Sequence, residues 1–114
     1  MAKYEHLPIY KEAFDLTLYF EKVVRNFSRY HKYTLGTDLR NLSREILKMI
    51  ISANNRTVKK DKLLSIREKL EELKVILRIC REVRTFNNFD SFSYAIGCVV
   101  EISKQNEGWL KSQK

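Results

Sequence analysis

"LLSIREKLEELKVILRIC", residues 63–80, decides the fold class. Leu63, Ile66, Leu70, Leu73, Leu77 and Cys80 recur at alternating steps of three and four. That rhythm tracks the helical turn of about 3.6 residues and puts these side chains on one face of an α-helix. A half-buried strand would alternate at every second residue, and no stretch of any length here does so. The expected helix runs from about residue 59 to 85.

Working outward, three further segments carry the same period. In residues 8–28 the stripe is Ile9, Ala13, Leu16, Phe20, Val23 and Phe27, and Pro8 suits a first turn whose N–H has no partner. In residues 36–55 it is Leu39, Leu42, Ile46, Met49 and Ala53. Gly36 reads there as the residue that turns the chain, Thr37 or Asp38 as the cap, and "SANNRT" (52–57) as the stop. In residues 90–108 it is Phe92, Ile96, Val99, Val100 and Ser103, with Asn88 or Asp90 as cap and a tail, "GWLKSQK", that frays.

One proline and three glycines leave little punctuation, and the connections are short, which favours antiparallel neighbours. The expected fold is all-α: an antiparallel up-down-up-down four-helix bundle, one domain over residues 1–114. Cys80 and Cys98 lie inside apolar patterns without metal-ligand spacing, so they read as buried thiols in a reducing compartment. The polar start "MAKYEHLPIYKEAF" offers no secretory signal, and no run suits a membrane span. A cytoplasmic location follows as the expectation.

Each segment holds more apolar residues than one stripe needs. Tyr10, Phe14 and Leu18 form a separate line on the first. Leu47 and Ile51 lie off the second stripe. Val75, Ile76, Ile79 and Val83 widen the third to roughly 200° of its circumference. Ala95, Cys98, Ile102 and Trp109 extend the fourth sideways. A generous core is the plain reading. Four helices do not readily hide this many positions, which favours a self-association or partner surface formed by Tyr10, Phe14, Leu18, Val75, Ile76 and Ile79.

Net charge is +8, from 22 basic and 14 acidic residues, a balance suited to a polyanion. The bases form ranks. Arg40, Arg44 and Lys48 repeat every fourth residue. Arg67, Lys74, Arg78 and Arg81 fall within about 60° of one another on the third helix. Such ranks can follow a phosphate backbone, giving salt-sensitive, sequence-tolerant binding. The competing reading is a solvated face with local ion pairs, which the acids Glu68, Glu71, Glu72 and Glu82 partly support. Tyr30, Tyr33, Phe86 and Phe89 are placed to stack on unpaired bases, although plugging the bundle ends is the plainer role. Phosphate loops, zinc-protease motifs and Glu-x-x-His di-iron motifs are all missing, so neither an enzyme nor a cofactor is expected.

"YTLGTDLRNLSREIL" (33–47) and "LPIYKEAFDL" (7–16) carry a resemblance. An aromatic, a Leu-Gly turn and "LR" opening the second helix, here Tyr33, Leu35, Gly36, Leu39 and Arg40, resemble a family of small bacterial and phage four-helix bundles. That family includes proteins encoded in 23S ribosomal RNA intervening sequences and the accessory variability determinant (Avd) of diversity-generating retroelements. "LKMIISANNRT" (47–57) lacks the proline and Glu-Gly of the ribosomal-insert branch, which favours Avd. The resemblance implies a non-catalytic, basic, pentameric barrel-like ring. It further implies binding of the element's reverse transcriptase and template RNA, with DNA as a further polyanion, in support of mutagenic copying. A ribosomal-insert protein and a purely protein-binding helical adaptor are the alternatives.

Overall fold

The computed structural model describes residues 3–113, among which there are four long helices, one short helix and no strand. Met1, Ala2 and Lys114, the ends of the expected 1–114 domain, lie outside the described residues. A 3-10 turn at Lys3–His6 leads into α1 (Pro8–Val24), α2 (Arg29–Lys32), α3 (Leu35–Asn54), α4 (Lys60–Glu82) and α5 (Phe89–Lys111). α1 packs on α3 and α5, and α4 packs on the same two, so the long helices form a helical bundle around one core. None of them is long and apolar enough to cross a membrane.

On α4 all the expected stripe residues, from Leu63 to Cys80, are fully buried. Elsewhere the structure revises the expectation. α1 ends at Val24 rather than near 28, and Val24 replaces Val23 in the core. Asn26 and Ser28 favour local hydrogen bonding over helix continuation. Ser28 then caps α2, its Oγ accepting from the His31 N–H at 3.5 Å. Phe27 still reaches the core from this non-helical stretch.

α3 starts earlier than the cap candidates suggested. Thr34 holds the N-cap position, and its hydroxyl donates to the Tyr30 carbonyl at 2.9 Å instead of capping. Thr37 and Asp38 sit in the first turn, where Asp38 complements the positive end of the helix dipole. Gly36 is not a turn residue: it is helical and buried, and a Cβ there would meet Val24 Cγ1 at 2.5 Å and the His31 carbonyl at 3.2 Å. The glycine is what lets α3 lie this close to the end of α1. At the other end Lys59 Nζ donates to the carbonyls of Ala53 (3.1 Å), Asn54 (3.2 Å) and Arg56, so a cation closes the helix that "SANNRT" stops.

The largest revision is the phase of α5. Its buried residues are Ala95, Cys98, Val99, Ile102 and Asn106, whereas Val100 is 41% exposed. Large side chains suggested one phase, and the small Ala95 and Cys98 reveal another. Asn106, wholly buried, donates from Nδ2 to the Leu63 carbonyl at 3.0 Å and ties α5 to the start of α4. Asn88 caps α5, its Oδ1 accepting from the Ser91 N–H at 2.9 Å, and the helix continues through the tail expected to fray as far as Lys111.

Candidate nucleic-acid interface

The basic ranks are real but partly neutralised. On α3, Arg44 and Lys48 are exposed and Arg40 is half-buried. Arg44 pairs with Glu21 of α1, which offsets the mild repulsion between like charges four residues apart. On α4, Arg67 holds Glu107 of α5 with both prongs of its guanidinium, at 2.9 Å and 2.7 Å. That hydrogen bond keeps the Glu107 carboxyl below its ordinary range. Lys74 meets Glu71 at 3.5 Å. Among the described residues Arg40, Lys48, Arg78 and Arg81 have no carboxylate within bridging distance. These four, rather than all seven sequence candidates, are the cations left over for an external anion.

Arg81 lies over the rings of Phe89 and Phe92, 5.8 Å and 5.6 Å from their centroids. Beside it sits Arg84, which the sequence reading passed over. Val83 caps α4, and Arg84 follows it in the left-handed region at φ 59°. The Thr85 N–H returns to the Cys80 carbonyl at 3.0 Å and the Arg84 N–H to that of Arg81 at 3.2 Å. This is a Schellman closure, whose left-handed position usually holds glycine. The available signal was the spacing of three between Arg81 and Arg84. Arg81, Arg84, Asn87, Asn88, Phe89 and Phe92 line most of a cleft of about 570 Å³ at the α4–α5 turn.

The aromatic candidates divide. Phe86 is 9% exposed and meets Phe27 edge-on at 5.4 Å, so it does plug the end of the bundle. Phe89 is 64% exposed, and Tyr30 and Tyr33 are also outside.

The apolar candidates form two faces, one on each flank of α3. Tyr10, Phe14 and Leu18 share a side of α1 with Glu21 by helical spacing, and the Glu21–Arg44 pair sets that side against α3. The Tyr10 and Phe14 rings stack at 5.8 Å, and Leu18 is 53% exposed. On the opposite flank Val75 is 57% exposed and, with Ile76 and Leu42, forms the apolar part of a cleft of about 460 Å³. Asp38, Glu45 and Glu72 rim it, with Lys69 bridging Glu45 at 3.6 Å and Glu72 at 3.2 Å. Ile79 and Val83 are exposed farther along α4. The second face is therefore rimmed by acids, whereas the first carries the Glu21–Arg44 pair at its edge and Glu5 near Tyr10.

Cys80 and Cys98 are free buried thiols, and burial raises both above the ordinary thiol value. No cluster of potential metal ligands occurs among the described residues. A comparison with curated proteins gives no match. A family model described as bAvd-like matches residues 8–113, nearly the whole chain and all of its long helices. With that match and this helical architecture, the chain belongs to the bAvd-like family.

Proposed function

We propose that this chain is a non-catalytic accessory protein of a diversity-generating retroelement. It acts in the cytoplasm and binds the element's reverse transcriptase and its template RNA. The family match over residues 8–113 carries this reading. The free cations Arg40, Lys48, Arg78 and Arg81 support the RNA contact, with Arg44, Arg67 and Lys74 serving mainly as braces between or along helices. DNA would present the same phosphate chemistry.

The chain is read as one domain whose long neighbouring helices run antiparallel. Contacts favour that topology: Leu63 and Arg67 near the start of α4 meet Asn106 and Glu107 near the end of α5, while Arg81 near the end of α4 meets Phe89 at the start of α5. The two flanks of α3 favour assembly into a homo-oligomeric ring, taken as a pentamer from the family resemblance. An apolar ridge (Tyr10, Phe14, Leu18) and a differently shaped, acid-rimmed apolar cleft (Val75, Ile76) on one chain suit a head-to-tail joint. Joints of that kind close into rings when the rotation permits.

The test is co-expression with the reverse transcriptase of the proposed element, followed by salt-graded RNA binding. The expected result is a stable complex, with RNA affinity that falls steeply as salt rises and drops in an Arg40→Glu/Lys48→Glu/Arg78→Glu variant. Absence of both the complex and RNA binding at low salt would overturn the proposal. A complex without RNA binding would leave a protein-binding adaptor and refute the RNA role.

A further inference from the structure

Arg84 occupies a backbone position that disfavours it. A side chain in the left-handed region crowds the following carbonyl, and glycine would adopt that conformation freely. Strained residues of this kind recur where a side chain is needed in a particular place. Here the side chain lines the cleft at the α4–α5 turn, next to Arg81. None of the eight lining residues is acidic. The clefts beside Asp38 and Glu12 and the one between Arg67 and Glu107 all carry carboxylates.

The same cleft offers an aromatic surface. Phe89 and Phe92 lie 6.0 Å apart, held under the Arg81 guanidinium, and Phe89 still exposes most of its side chain. Asn87 and Asn88 stand on the wall with side-chain amides able to meet polar edges. Asn88 commits its carbonyl oxygen to Ser91, which leaves its N–H groups. Cations beside an open ring with amides at the margin are the parts that hold an unpaired nucleotide, whose base stacks while its phosphate is neutralised. A volume of about 570 Å³ lies within the usual range for small-ligand clefts, roughly 300–1,000 Å³, and admits a nucleotide but no duplex. Duplex RNA also keeps its base faces inside the stack.

We propose that the α4–α5 turn is a single-strand pocket: one unpaired nucleotide stacks on Phe89 and sets its phosphate against Arg84. The proposal rests on the nucleic-acid reading and adds a preference for unpaired strands. Phe89 supplies the stacking face, Arg81 fixes the rings, and Arg84 supplies the charge.

The test compares wild type, Phe89→Ala and Arg84→Gly by fluorescence anisotropy, using an unstructured single-stranded RNA oligonucleotide and a duplex of the same length. Phe89→Ala should weaken single-strand binding about five-fold or more and leave duplex binding unchanged. Arg84→Gly should lower the salt slope for the single strand by about one while raising the melting temperature, so its loss cannot be assigned to misfolding. The pocket is refuted if both variants bind the single strand as wild type does, or if Phe89→Ala weakens single strand and duplex equally. Intact single-strand binding with loss of the reverse transcriptase would assign the cleft to a protein partner and refute it too. Failure of wild type to bind either RNA would overturn the nucleic-acid reading together with the pocket.

Discussion

At Gly36 a single missing methyl group sets how closely two helices approach. Alanine normally improves a helix interior by about 1 kcal/mol over glycine. Here its Cβ would press on Val24 Cγ1, and a buried β-branched side chain has little freedom to turn away. Overpacking of this kind costs about 1–3 kcal/mol. Gly36→Ala is therefore expected to lower stability by about 1–2 kcal/mol in urea unfolding, against the propensity trend. Val24→Ala in the same chain should recover part of that loss, because the two sites share one contact. Sequence alone could not show this. A glycine after a Leu in a loop-like stretch reads as a turn, and its true neighbour lies twelve residues back across the chain reversal. Arg84 was hidden for a similar reason, since the left-handed conformation is fixed by the closure on Cys80 and Arg81.

Among the elements, legibility followed side-chain size and spacing. The buried face of α4 was readable because large aliphatics mark it at regular spacing, even though Val75 and Ile79 leave apolar surface outside it. α5 is apolar on several faces, so its phase was set by the residues that fit against α4 and α1 rather than by the most hydrophobic ones. The cross-helix pairs Arg44–Glu21, Lys69–Glu45 and Arg67–Glu107 join residues far apart in the chain, which no local pattern encodes. Two outcomes belong at this scale. Lys59→Met should lower the melting temperature, with a loss of about 0.3–1 kcal/mol, because the carbonyls closing α3 lose their cation. Arg67→Gln should act through pH. Since Glu107 lies below its ordinary 4.5 owing to the Arg67 hydrogen bond, the stabilisation is present above that value and is lost as pH falls through the folded one. The gap in melting temperature between wild type and variant should thus be seen at neutral pH and close progressively in acid.

For the molecule as a whole, the two faces flanking α3 make the proposed assembly separable into halves. Phe14→Glu/Leu18→Glu should disable the ridge on α1, and Val75→Glu/Ile79→Glu the apolar side of α4. Each variant alone is expected to be monomeric in light scattering. Mixed together they should form a one-to-one dimer and stop there, since each retains one working face and no ring can close. A symmetric joint would give a different result: it pairs one patch with itself, so the variant altered on the other face would still self-associate. The excess of apolar residues was visible in the sequence, but its division between the two flanks of α3 was not. That division depends on Glu21 reaching Arg44 and on α4 presenting Glu72 beside Glu45.

α3 borders both of those faces, and its far end is held shut by one ammonium group on three carbonyls. The acid-rimmed cleft sits on the first half of that helix, at Asp38, Leu42 and Glu45, so opening of the last turn would leave its lining in place. In the proposed ring, loss of the Lys59 cap would therefore loosen one end of α3 while sparing that joint.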